Sequence, residues 1–264
     1  MSRLVNAVID YLKFRFRVHS KYRIHSPFVY DFYKNVLRDR QNNTQYLVVN
    51  RLRRELLSAS RIIKRRDLGA RGIHFQADQR FVPLKEIVRQ AAVTREKGEF
   101  LFRLIRWYKP STILELGTSV GISTIYFGLA APECRIITIE GCTDSARVAR
   151  ENFEKTGLKN IDILTGNFED NLSDALKEMP GPDLIFFDGN HRKEPTLAYF
   201  MQSLLHVHPG TIIIFDDIHW SAGMQEAWNI IRRHPEVKVS IDLYYMGVVF
   251  FKEELSKEDF TLRF

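Results

Sequence analysis

Cysteine is nearly absent: Cys134 and Cys142 are the only two among 264 residues. Two thiols cannot frame a small disulfide-stapled fold, and their scarcity points to a reduced, cytoplasmic protein. Long apolar runs are missing as well. No stretch reaches the roughly 18 uncharged apolar residues that a membrane-spanning helix needs. The opening Leu4-Val5-Asn6-Ala7-Val8-Ile9-Asp10 is interrupted by Asn6 and Asp10, so it does not read as a secretory signal. No internal repeat or low-complexity tract occurs, and a content of 9 prolines and 14 glycines excludes a collagen-like chain. What remains is 45% hydrophobic and 27% charged, the composition of a globular protein with a substantial core. The length suits one large domain or two small ones.

The net charge of +7 is unevenly spread. Residues 1–100 hold 22 basic side chains against 9 acidic, and residues 101–264 hold 17 against 23. Such asymmetry predicts a different job for each part, or an anionic partner for the basic one.

The two parts also differ in pattern. Residues 1–17 read as an amphipathic helix, with Leu4, Val5, Val8, Ile9, Leu12 and Phe16 on one stripe. Ser26-Pro27 predicts a capped helix start. Residues 51–66 carry Leu52, Leu56, Ala59 and Ile63 inward and Arg51, Arg54, Arg61 and Arg65 outward. Asp67 to Gly72 is a loop signal, and helical periodicity returns from about Val82 to Tyr108. From Ser111 short β-branched runs alternate with helical stretches: Thr112–Leu116, Arg135–Ile139, Ile161–Thr165, Leu184–Phe187 and Thr211–Phe215. Val237–Leu243 and Gly247–Lys252 form a terminal antiparallel hairpin. This grammar predicts a doubly wound, mostly parallel sheet over residues 109–264, preceded by a helical N-terminal extension over 1–108.

In such sheets ligands bind beyond the carboxyl ends of the strands. After the first strand stand Gly117 and Gly121, which permit a tight turn and close approach of a ligand to bare backbone. Their G-x-x-x-G spacing is not the G-x-G-x-x-G of dinucleotide sites. Glu140 follows the second strand, 19 positions beyond Gly121, where a carboxylate can accept from both hydroxyls of a ribose. Ile122-Ser123-Thr124 lacks the second glycine of a nucleophile elbow. Asp188, Asp216 and Asp217 sit at the ends of the fourth and fifth strands. Carboxylates crowded in one crevice call for a proton, a basic partner or a divalent cation.

The segment Ile113–Thr124, with Thr138-Ile139-Glu140-Gly141, resembles the class I S-adenosylmethionine-dependent methyltransferases. The resemblance covers about residues 94–252. It implies a Rossmann-like seven-stranded sheet whose last strand inserts antiparallel, and S-adenosylmethionine as cofactor. It puts Glu115, Gly117, Thr118, Ser119, Gly121 and Ser123 around the methionine half, Glu140 and Gly141 at the ribose, and Asn167 and Phe168 beside the adenine. Lys97-Gly98-Glu99-Phe100-Leu101 is similar to a segment that closes over the cofactor in small-molecule O-methyltransferases. The catechol-type and macrocin-type enzymes hold a metal at these strand ends, so Asp188, Asp216 and Asp217 become candidate ligands for magnesium or a similar ion. The macrocin-type pattern has a second carboxylate where this chain has Asn190. Asn cannot take a proton, so His191 or His219 is expected to serve as base beside Asp188. In related enzymes the N-terminal helices form a lid over the acceptor, which implies contact roles for Phe28, Tyr30 and Phe32, with core packing as their default reading.

The chain carries no Asn/Asp-Pro-Pro-aromatic run after the fourth strand, which counts against base N-methylation. The expected activity is therefore methyl transfer to a small-molecule hydroxyl. Two rivals remain at this point: methylation of RNA or protein docked on the basic helices, and a partner-binding module whose first helix lies peripherally on a membrane.

Overall fold

The computed structural model describes residues 11–12, 14–19, 23–65 and 80–263. The helix expected over 1–17 falls mostly outside the described residues; 11–12 and 14–17 are helical. The loop expected at Asp67 to Gly72 also lies outside them.

Five parallel strands form the heart of the chain: β3 (Thr112–Leu116), β4 (Arg135–Glu140), β5 (Ile161–Thr165), β6 (Leu184–Phe187) and β7 (Ile212–Asp216). They alternate with α5 (Ile122–Ala130), α6 (Thr143–Lys155), α7 (Phe168–Glu178) and α8 (Lys193–Leu204). After α9 (Ala222–Arg233), β8 (Val239–Asp242) and β9 (Met246–Phe250) form the expected hairpin, with β9 antiparallel to β7. The sheet order is β10-β8-β9-β7-β6-β3-β4-β5, with β10 being Glu258–Thr261. The sheet thus has eight strands where seven are expected: β10 pairs parallel to the outer edge of β8.

Successive side chains in these strands serve opposite faces. Ile113, Ile136, Leu184, Phe186, Ile212 and Ile214 join one apolar cluster; Leu114, Leu116, Ile137, Ile139, Ile185, Phe187, Ile213 and Phe215 join the other. Both faces are covered by helices, so the strands are hydrophobic throughout. The second cluster is completed by α7, α8 and α9.

The first cluster is completed from the N-terminal part. There α1 (Pro27–Phe32) starts at Ser26, whose Oγ accepts from the Val29 N–H, and continues through a π-turn at Tyr33–Leu37. Next come α2 (Gln45–Ser58), β1 (Ile62–Arg65), β2 (Arg80–Pro83), α3 (Leu84–Ala91) and α4 (Arg95–Tyr108). Two expectations need correction. The helix over 51–66 ends at Ser58, because Ala59 turns extended (ψ 133°) and Ile62-Ile63 pair with Pro83 and Val82 in an antiparallel ribbon. The helix from Val82 to Tyr108 is two helices, the second opening at Thr94, whose Oγ1 accepts from the Lys97 N–H at 3.3 Å. Phe28 and Phe32 are packing residues. Phe32 is fully buried edge-on to Phe100, and Phe28 meets Phe250 at 4.9 Å; only Tyr30 is exposed.

The arginine stripe does not survive as one basic face. Arg51 pairs with Glu55, Arg61 grips both oxygens of Glu151 (2.5 and 3.1 Å), and Arg65 lies near enough to Glu140 to favour its ionised form. The ribbon is anchored to α6 in the same way, with the Lys64 N–H donating to Asp144 at 2.9 Å.

Candidate active site

The chain order reverses between β3 and β6, since β4 and β5 extend the sheet one way and β6 and β7 the other. A crevice opens at such a switch point, and here it lies between Leu116 and Phe187, paired in register. The Asp188 N–H donates to the Leu116 carbonyl at 2.9 Å. Gly117 then turns at φ 111°, and a Cβ there would run into the Asp188 carbonyl oxygen. Only glycine lets the two strand ends close this tightly. Gly121, at φ 84°, opens α5, and a Cβ there would meet the Phe153 ring at 2.5 Å. Ser119 takes φ 51° without being glycine, so the loop holds one left-handed position at a cost.

Beneath the loop lies Glu115, fully buried. Ser123 donates to Oε1 at 2.6 Å, while Thr124 and Thr138 donate to Oε2 at 2.5 and 2.6 Å. The one proton of Thr138 is thereby committed, so Thr118 is the donor in the 2.6 Å contact between the two threonines. Burial raises the pKa of Glu115, and the three hydroxyls offset part of that rise. The sequence reading put Glu115, Thr118 and Ser123 around the cofactor. Their side-chain oxygens are committed inside the protein, Ser123 to Glu115 and Thr118 to Thr138, bracing β3, β4, the loop and α5.

Glu140, at the end of β4, accepts the Ser119 N–H at 2.6 Å and the Cys142 N–H at 2.8 Å. It therefore straps the glycine loop to the next strand end. Burial pushes its pKa up to about 7, against the pull of these two N–H groups and of Arg65. Each of its oxygens keeps a second lone pair for a ligand hydroxyl. Gly141 follows it directly. Asn167 caps α7, and Phe168 behind it lies against Gly189, where a Cβ would meet its ring at 2.5 Å. Gly117 and Phe168 thus flank the Asp188-Gly189 turn, and Ser119 is tied to Glu140.

The other side of the crevice is built from strand ends β6 and β7, with a member the sequence reading did not assign. Lys97 Nζ, from the first turn of α4, donates to both oxygens of Asp216 (2.7 and 2.9 Å) and to Asp217 Oδ1 (2.9 Å). Its side chain is only 12% exposed and that of Asp216 only 6%. Burial lowers the lysine pKa, but Asp216 and Asp217 more than offset this, so the ammonium stays charged. Asp188 is raised well above the ordinary carboxylate range, first by burial and then by Asp216. At the expected metal set the cation in the structure is this ammonium. Among the described residues no three His, Cys, Asp or Glu side chains converge as metal ligands. The carboxylates do gather, but both oxygens of Asp216 and one of Asp217 already accept from an ammonium.

The two histidines part company. His191 Nε2 stands 3.7 Å from Asp188 and faces Asp216 as well. His219 is held by the terminal hairpin, with Nε2 2.9 Å from Asp242 and its ring stacked on Tyr244 at 5.1 Å. Asn190 takes φ 64°, donates to Tyr199 and accepts from Arg192, so it shapes the turn carrying His191. An open cavity of about 500 Å³ begins at His191 and is lined by Arg192, Trp220, Ser221 and Glu226.

A family model described as a methyltransferase domain matches residues 114–218, from β3 to the turn after β7. The catechol O-methyltransferase of Niastella koreensis is 38% identical over 130 residues, which are 48% of this chain and 58% of that protein. The catechol O-methyltransferase of Mycobacterium tuberculosis is 31% identical over 136 residues, 50% of this chain and 60% of that protein. The chain thus spans less than two thirds of the length of either relative. Among solved structures, the O-methyltransferase from Bacillus cereus in complex with SAH superposes with a TM-score of 0.55 at 22% identity, over 84% of this chain and 97% of that one. The chain has the fold of that O-methyltransferase, and residues 114–218 match the methyltransferase-domain model. Over about half its length its sequence is similar to enzymes named catechol O-methyltransferases.

Proposed function

We propose that this chain transfers a methyl group from S-adenosylmethionine to a hydroxyl oxygen of a small molecule. The observation that carries the reading is the meeting of Gly117 with Asp188 at the switch point. It sets a bare-backbone loop and a carboxylate cluster on two sides of one crevice. Bound there, the cofactor supplies a methyl group on a cationic sulfur. An acceptor oxygen held in line with that methyl would take it, the S–C electron pair remaining on sulfur. The hydroxyl proton passes to the imidazole of His191, whose positive charge Asp188 and Asp216 offset. Glu140 accepts from the ribose hydroxyls, Gly117 and Gly141 allow close approach, and Asn167 and Phe168 border the base. Catalysis rests chiefly on holding the reactants in line and dry.

From the N-terminal part, α4 brings Lys97 to the crevice. The names of the relatives make a catechol the first acceptor to assay. Two free, buried cysteines suit the cytoplasm, and among the described residues no helix is long and apolar enough to cross a membrane. RNA docking is not favoured, because Arg51, Arg61 and Arg65 face acidic partners in the chain itself. Incubation with methyl-labelled S-adenosylmethionine and a catechol panel tests the reading; label on an acceptor oxygen supports it, and failure to bind the cofactor overturns it.

A further inference from the structure

We infer that Lys97 is the resident cation of this crevice, standing between Asp216 and Asp217 where a divalent metal would otherwise be held. An ammonium has three N–H donors, and Lys97 makes three contacts, all of 2.9 Å or less, to the two aspartates. A hard cation would need the same oxygens, and an ammonium already seated among them opposes its entry by like-charge repulsion.

The placement is built in at several levels. Thr94 caps α4 and so fixes the turn on which Lys97 rides. The next residue, Gly98, lies flat against the Tyr126 ring, and any Cβ there would overlap that ring. This brings α4 close enough for the lysine to reach β7. On the far side Asp217 takes a left-handed φ of 54° and donates its N–H to the Tyr245 carbonyl at 2.7 Å, and the Tyr245 ring lies 5.8 Å from Nζ. Residues 119 and 120 positions apart thus converge on one nitrogen, largely shielded from water. All three donors are taken, so Lys97 acts as a positioning residue: it keeps the carboxylates together and supplies the fixed positive charge beside the acceptor. Methyl transfer here would need no divalent ion.

The inference rests on reading the crevice as an acceptor site, but its test needs neither cofactor nor acceptor. The full chain is titrated with Mn2+ and uptake read by electron paramagnetic resonance, for wild type, Lys97→Met and Lys97→Arg. Wild type and Lys97→Arg are expected to take up no Mn2+ at this site through the millimolar range. Lys97→Met is expected to bind one Mn2+ at least about 100-fold more tightly, since removing a charge among the ligands exceeds the ~10–100-fold effect of outer-shell changes. Mg2+ should then raise the melting temperature of Lys97→Met and leave wild type unmoved. One Mn2+ per wild-type chain, lost in Asp216→Asn, overturns the inference; so does a folded Lys97→Met with no gain. Should Lys97→Met fail to fold, the wild-type and Asp216→Asn titrations decide alone. Absence of S-adenosylmethionine binding would sink the methyltransferase reading and leave these Mn2+ results standing.

Discussion

Lys97 Nζ and Asp216 form a two-point contact, 2.7 Å to Oδ1 and 2.9 Å to Oδ2, between the first turn of α4 and the last residue of β7. Both side chains are almost wholly buried, so neither charge has water to replace the other. Removing one partner from such a pair costs far more than the pair contributes over an apolar substitute. Lys97→Ala should therefore lower unfolding stability by about 3–5 kcal/mol. Urea denaturation of wild type and variant measures this, and a loss below about 1 kcal/mol would mean that the ammonium is solvated.

Gly117 makes a second, independent prediction. A Cβ at φ 111° is strained and would strike the Asp188 carbonyl. Gly117→Ala should cost about 1–3 kcal/mol in stability and abolish cofactor binding by prising β3 from β6. Gly157, also left-handed at φ 73° but with nothing within 4 Å, is the control. Gly157→Ala should cost stability and leave binding intact.

Glu140 fixes the expected pH dependence. Its pKa is raised to about 7 by burial, above the roughly 4.3 of an unfolded glutamate. The folded protein holds a proton there that the unfolded chain has already released. Its stabilising contribution is thus complete below the unfolded pKa and is lost as pH rises through about 7. Cofactor affinity should run in the opposite sense, weakening as pH falls through the same value, because the ribose hydroxyls need an ionised acceptor. Glu140→Gln should bind about 10–100-fold more weakly and lose that pH dependence in calorimetry.

His191 is the expected proton acceptor. His191→Gln should lower kcat by roughly 10²–10⁴-fold with little change in KM, as measured on whichever catechol is methylated. An unchanged kcat would pass the role to solvent.

Much of the fold was legible because it is local. Alternating β-branched runs marked all five parallel strands, and Gly117, Gly121 and Glu140 were marked by their positions after strand ends. Ile62–Arg65 was misread because Leu52, Leu56, Ala59 and Ile63 happen to keep a helical spacing; adjacent Ile62 and Ile63 were the signal for strand. β10 was missed because Glu258–Thr261 carries two charges in four residues and pairs along one edge only. In the site, the side-chain directions were the hidden part. Nothing local reveals that Ser123, Thr124 and Thr138 all turn toward Glu115, or that Lys97 reaches Asp216 across 119 positions. The available hint was a lysine followed at once by glycine on the apolar-patterned α4, opposite a surplus of strand-end carboxylates.

Calorimetric titration of the full chain with S-adenosylmethionine tests the central claim most directly. The account predicts one site per chain with a micromolar Kd, lost in Gly117→Ala and weakened in Glu140→Gln. No heat and no thermal shift at millimolar cofactor would contradict it.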